Sequence, residues 1–322
     1  MSEMTYRALG VSGLRVSVVG IGCNNFGGRM SEEAVDEVVS AALEAGINLF
    51  DTAAGYAGSE ERLGRALGSR RGEAIIATKF PSPYERSHQA SGSRHHVTAA
   101  CEGSLRRLGT DYIDLYQMHT PDPTTPIEET LAALDDLVHS GKVRYIGNSN
   151  FSGWQIADAD WTARTVGLTR MVSAQNNYSL VNRNVEREVT PACERFGLGI
   201  LPYFPLASGL LTGKYRRGQA GPEGARLSQG APMAAMAARF LNDANFDTAD
   251  GLEKLASDTG VTILHLAMGG LAAQPAVASV IAGATSAKQV AANAEAGSWV
   301  PSPEILDAIN AAAPGPMFDR RR

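Results

Sequence analysis

The chain is poor in cysteine, has no long hydrophobic run and carries no marked excess of either charge. Its 322 residues include three cysteines, Cys23, Cys101 and Cys193, far apart and without a C-x-x-C pair. That spacing argues against a disulfide framework or a zinc site and reads as reduced thiols in a cytoplasmic protein. The first strongly apolar stretch, "VSVVGIG" from Val16 to Gly22, is short and lacks the basic flank of a secretory signal. Nothing nears the run of about eighteen apolar residues that a membrane span requires, so no membrane association is expected. Lys and Arg number 29 against 34 Asp and Glu, a net charge of −5, too even for a surface devoted to nucleic acid. No Gly/Ser/Pro linker divides the chain, and residues 1–322 read as one domain.

Two nucleotide-binding signatures begin and then fail. "GIGCNN" has Asn25 where a dinucleotide fingerprint needs its third glycine. "SGLLTGKY" has Ser208 at the first glycine of a P-loop and Tyr215 where Ser or Thr must hold magnesium. His88, His95 and His96 cluster in what reads as a solvated loop, without the carboxylates or thiols of a metal site, and no metal is expected.

What is present is alternation. Eight β-branched runs, "VSVVGIG", "INLFDTA", "AIIATKF", "YIDLYQMH", "VRYIGNS", "MVSAQNN", "LGILPYFP" and "VASVIAGA", are separated by amphipathic segments. In "SEEAVDEVVSAALEAG", Ser31 can cap a helix and Gly46 can stop it; in "TPIEETLAALDDLVHSG", Pro126 and Gly141 do the same. Strand then helix, eight times, with 44% hydrophobic residues to fill a core, predicts an α/β fold, a (β/α)8 TIM barrel. Ahead of it, "YRALGVSGLRVS" reads as an N-terminal β-hairpin closing the barrel bottom. Two longer irregular stretches are 81–94 and 206–230; the second, rich in Gly and Pro, is better explained by function than by connection.

In such a barrel the chemistry gathers at the carboxyl ends of the strands. Asp51 ends the second strand, Tyr56 follows it in "TAAGYAG", Lys79 ends the third and His119 the fourth. Alone, the aspartate could be a helix cap, the lysine solvated, the histidine a local hydrogen-bonding group and the tyrosine packing. At three neighbouring strand ends they form a set. An unperturbed tyrosine titrates near about 10, and a cation beside it favours the phenolate. Lys79 supplies that cation, Asp51 holds it, His119 positions a carbonyl, and Tyr56 is the expected general acid.

The chain resembles the aldo-keto reductase superfamily over nearly its whole length. The motifs that carry the resemblance are "FDTAAGY", "ATKF", "DLYQMH", "GKVRYIGNSNF", "SAQNNYSL", "LPYFPLASGLLTGKY" and "VIAGATSAKQVAANAEA". The likeness is to bacterial-type members related to the potassium-channel β-subunit branch. It implies a catalytic tetrad of Asp51, Tyr56, Lys79 and His119, and an NADP(H) cofactor bound extended without a Rossmann domain. It implies carboxamide contacts from Ser149, Asn150 and Gln175, and a ring-stacking Tyr203. Leu206, Ser208, Lys214 and Arg226 fall where the family embraces the pyrophosphate, and Gly283, Thr285, Lys288, Gln289 and Asn293 where it holds the adenosine end. Phe204 departs from the serine often found after the stacking aromatic, and the "AG" between Tyr56 and Ser59 is shorter than in many relatives.

The implied activity is NADP(H)-dependent, reversible hydride transfer between nicotinamide and an aldehyde or ketone. A nicotinamide-binding sensor or accessory subunit of the same fold is the alternative, and a Schiff-base role for Lys79 a third. The expected partner is a small-molecule carbonyl substrate, with Asn24, Asn25, Phe26, Phe80, Tyr84, Phe151 and the loop around Leu210 forming its pocket. A monomer or weak homo-oligomer is expected.

Overall fold

Two short strands pair before the main sheet begins: β1 (Tyr6–Ala8) lies antiparallel to β2 (Arg15–Ser17), with Arg7 opposite Val16. The computed structural model describes residues 3–81, 91–219, 221, 222, 227 and 231–316. Within them, parallel strands follow in chain order: β3 (Val19–Gly22), β4 (Leu49–Asp51), β5 (Ile75–Phe80), β6 (Ile113–Met118), β7 (Val143–Ser149), β8 (Ser173–Gln175), β9 (Gly199–Ile200) and β10 (Val280–Gly283). Their hydrogen-bonded order is β10-β3-β4-β5-β6-β7-β8-β9. A bridge between Ile200 and Val277 returns the last strand towards the first, with Ala278 N donating to Ile200 O at 2.9 Å and Ile281 N to Pro202 O at 3.0 Å. The ring is the expected (β/α)8 barrel.

The run "VSVVGIG" is not one strand. The chain leaves the hairpin at Ser17 and enters the barrel at Val19, with Val18 N donating to Thr5 O and Val18 O accepting from Val280 N, both at 2.9 Å. The residues are β-formers throughout, so composition alone carried no sign of the change of partner. His95 and His96 are not in a loop: they open the helix Arg94–Leu108, whose N-cap Ser93 accepts from His96 N. His88 lies outside the described residues.

Helix ends follow the capping chemistry. Ser31 accepts from Ala34 N at the start of the helix Glu32–Glu44, and Gly46 follows its end at φ 78°. The helix Ile127–His139 begins after Pro126, and Gly141 turns the chain at φ 75°. The three cysteines are buried and free. Burial pushes the Cys101 and Cys193 thiols up to about 12, so they stay protonated and unreactive.

The hairpin occupies the end of the barrel opposite the strand carboxyl ends. Leu9 and Val16 form a cluster with Leu49, Ala77, Leu115, Leu201, Ala278 and Ile281, which fills the interior below the rim. Gly10 at the hairpin tip has φ 59°, and a Cβ there would lie 2.3 Å from Gly197 O and 2.7 Å from Val172 O. Backbone cannot yield as a side chain can. Gly10→Ala should therefore destabilise the fold by about 1–3 kcal/mol, read as a lowered urea midpoint. Turnover per folded molecule should stay unchanged, because the rim is untouched.

Candidate active site

Strand periodicity builds the site. Side chains on a strand alternate in direction, so two residues beyond each apolar interior position stands another interior residue. Above Leu49 comes Asp51, above Ala77 comes Lys79, and above Leu115 comes Gln117. Ser173 and Gln175 continue this layer on β8, and a glycine at 147 leaves room for it. A Cβ at Gly147 would meet Ser173 Oγ at 2.0 Å and Gln117 Cγ at 3.3 Å.

Lys79 is completely buried, and its ammonium donates to Asp51 Oδ2 at 2.7 Å and to Thr52 O at 2.8 Å. Asp51 Oδ1 accepts from Gln175 Nε2, also at 2.7 Å. Burial by itself would lower the Lys79 pKa; attraction from Asp51 and the hydrogen bond to it outweigh that, and the ammonium is held above its ordinary range.

Tyr56 is delivered by a pinned turn. Thr52 N donates to Ala77 O and Ala54 N to Lys79 O, tying the loop to β5. Tyr56 N donates to Ala53 O at 2.9 Å, Gly58 takes φ 70°, and Ser59 Oγ donates to Cys23 O at 2.8 Å as the helix Ser59–Leu67 begins. The Lys79 Nζ lies 5.3 Å from the Tyr56 ring centroid. The Tyr56 and His119 rings meet edge to face, centroids 5.9 Å apart. Against the expectation of a lowered value, the Tyr56 pKa is raised: burial dominates, and the Lys79 charge only partly opposes it. The phenol is neutral in the resting protein. Burial, reinforced by the Lys79 charge, lowers the His119 pKa to about 3, so the imidazole is neutral as well.

One groove of about 830 Å³ runs from this cluster along the rim. Asp51, Tyr56 and His119 line it together with Ser149, Asn150, Gln175 and Tyr203. Leu206, Ser208 and Lys214 line its flank, and Gly283, Thr285, Gln289 and Asn293 line it at β10 and the helix Ala287–Ser298. Lys288 is exposed and is not among the lining residues. Arg226 and Tyr84 lie outside the described residues. Asn24 and Asn25 line the groove, whereas Phe26, Phe80, Phe151 and Leu210 are buried in the core between strands and helices. Phe204 lines the groove at φ 53° and packs edge-on to Tyr203 and Phe240, with centroids at 5.4 and 5.7 Å. Sequence reasoning passed over Arg29, also in the lining; its place in the loop after the first barrel strand was the available signal.

A closed parallel barrel, with a buried acid-paired lysine under a tyrosine and a histidine and one long groove across the strand ends, defines a rim-site enzyme barrel. The chain belongs to the aldo/keto reductase family, whose family model matches residues 18–314. It is by family an oxidoreductase barrel, and the family generally uses NAD(P)H. A probable voltage-gated potassium channel subunit β of Oryza sativa is 37% identical over 317 residues, covering 96% of each chain. An uncharacterized oxidoreductase of Bacillus subtilis is 34% identical, covering 97% of each. The L-glyceraldehyde 3-phosphate reductase of Escherichia coli K12 is 33% identical over 91% of this chain and 88% of its own. No helix among the described residues is long and apolar enough to cross a membrane.

Proposed function

We propose that the chain, acting as one domain, is an NADP(H)-dependent carbonyl reductase with Tyr56 as general acid. The observation that carries this reading is the charged, buried Lys79 pair beneath a neutral Tyr56 at the head of the groove. The groove suits an extended dinucleotide: amides at Asn150 and Gln175, an aromatic face at Tyr203 and a cation at Lys214 line it, and Thr285 and Gln289 bring to it the start of the helix capped by Ser286. When bound, the nicotinamide supplies hydride to the carbonyl carbon. Tyr56 gives its proton to the oxygen as negative charge develops there, and the Lys79 ammonium stabilises the phenolate left behind. Neutral His119 orients the carbonyl and supplies no proton of its own. Ordinary aldehydes and ketones are the substrate class: Tyr56 and His119 at the head of the groove address a carbonyl oxygen, and among the described lining residues the one carboxylate, Asp51, is paired with Lys79.

A panel of aldehydes and ketones assayed by NADPH absorbance tests this, with steady consumption expected. The names of the plant relatives favour a second reading, a nicotinamide-binding accessory subunit. It requires binding without sustained turnover. A Schiff-base role is opposed by the burial of Lys79 and its raised pKa, since that chemistry needs a neutral amine. Borohydride with substrate should leave Lys79 unlabelled.

The cofactor preference should be for NADPH over NADH, by about 1–3 kcal/mol, the usual worth of a few charge-assisted hydrogen bonds. Ser286 caps the helix Ala287–Ser298, whose first turn carries no acidic residue. Gln289 Oε1 accepts from Thr285 N at 2.9 Å, which leaves the Gln289 amide nitrogen as the donor for a 2′-phosphate. Dissociation constants from protein fluorescence quenching check the preference; equal or tighter binding of NADH overturns it. Lys288→Ala should leave the gap unchanged, since that side chain is outside the groove lining.

A further inference from the structure

Asn150 on the groove wall is held by backbone and side chain together. Its backbone takes φ 62°, a left-handed conformation that asparagine tolerates better than most residues. Its backbone N–H donates to Gln175 O at 3.0 Å, which ties it to the end of β8. Its side-chain nitrogen donates to His119 O at 2.9 Å and to Ser149 Oγ at 3.1 Å, using both amide hydrogens. Its Oδ1 accepts from the Tyr203 hydroxyl at 2.8 Å. Tyr203 is itself anchored by its backbone, with N donating to Asn176 O at 3.0 Å and O accepting from Tyr178 N at 3.2 Å.

A carboxamide oxygen accepts two hydrogen bonds and its nitrogen donates two. Three of the four capacities of Asn150 are therefore spent within the protein, and the fourth is one lone pair on Oδ1. We propose that Tyr203 is a positioning residue. Its hydroxyl locks the Asn150 amide so that the groove meets one outward-facing acceptor, which recognises the NH2 of the nicotinamide carboxamide. The inference rests on the nicotinamide reading and extends it: the same tyrosine offers its ring as a face and its hydroxyl as the key to the amide. Without that hydroxyl the Asn150 oxygen loses its one donor among the described residues: the two Nδ2 bonds still hold the amide plane, but both lone pairs of Oδ1 are then open and the ligand NH2 no longer meets a single fixed acceptor direction. Replacing Asn150 itself would add backbone strain at φ 62°, so the informative change is at the tyrosine.

Tyr203→Phe keeps the ring and deletes the key. Binding of NADPH and of its 3-acetylpyridine analogue, in which a methyl replaces the carboxamide NH2, is measured by protein fluorescence quenching on wild type and variant. The dissociation constant for NADPH should rise about three- to tenfold, the scale of one hydrogen bond. That of the analogue should barely move, so the preference of the wild type for NADPH collapses in the variant. A loss shared equally by both nucleotides, or none with NADPH, overturns the inference, since a merely structural role for the hydroxyl cannot tell the two apart. A wild type that binds neither nucleotide overturns the nicotinamide reading instead.

Discussion

Tyr56→Phe should lower kcat for carbonyl reduction by a factor on the order of 10²–10⁴, the span attributed to a positioned general acid. NADPH affinity should stay within about twofold, because the variant keeps the ring and loses only a hydroxyl that serves the transition state. Rate measurements under saturating cofactor, paired with a binding isotherm, separate the two effects. A variant retaining more than a few per cent of the rate would remove Tyr56 from the acid role. The pH profile of the unaltered enzyme carries the same signature. With His119 lowered to about 3, no ionisation of that ring falls in the working range. With Tyr56 raised above 10.0, the acid stays protonated through it. The reduction rate should be level between about pH 6 and 9 and fall only on the alkaline side. A limb centred near about 6.5 would instead assign a protonating imidazole to the reaction.

Lys79→Met should be the most damaging single change, in activity and stability together. It removes the cation under Tyr56 and leaves Asp51 buried with Gln175 as its remaining side-chain donor among the described residues. Breaking one side of a buried pair typically costs about 3–5 kcal/mol, most of it the penalty of the charge left behind. The double change Asp51→Asn with Lys79→Met should restore much of that stability and none of the turnover, which denaturant titration and a rate assay would show side by side. If the double variant is no more stable than Lys79→Met, the abandoned carboxylate is not the source of the loss. The sign with pH follows from the raised Lys79 pKa. The contribution of the pair is whole below the ordinary value of 10.5 and is lost as pH climbs through the higher folded value.

The barrel, its hairpin and the coming together of Asp51, Tyr56, Lys79 and His119 were legible in the chain, and for local reasons. Capping residues such as Ser31, a stop such as Gly46 and short β-branched runs act over a few residues. The parallel barrel then makes consecutive strand ends neighbours. The break of "VSVVGIG" at Val18 was not legible, because a run of β-formers says that a strand forms and nothing about which edge it meets. The loop assigned to His95 and His96 failed similarly: the cap at Ser93 is a local signal, but the polar residues of the first turn hid where the helix begins.

At the site the sequence named the groups, and tertiary structure decided their states. A cation beside Tyr56 pointed to a lowered pKa, yet burial reverses the balance, and burial is a property of everything packed around the ring. Lys288 and Gln289 are neighbours in one short motif, but the turn of the helix puts Gln289 on the groove wall and leaves Lys288 off it. That Gln175 bonds Asp51, and that Tyr203 holds Asn150 across 53 positions of chain, are contacts between strand ends. Residue identity and spacing determined most of the elements and their order. The closed ring decided which side chains touch, because pairings between distant positions depend on the register and curvature of the whole sheet.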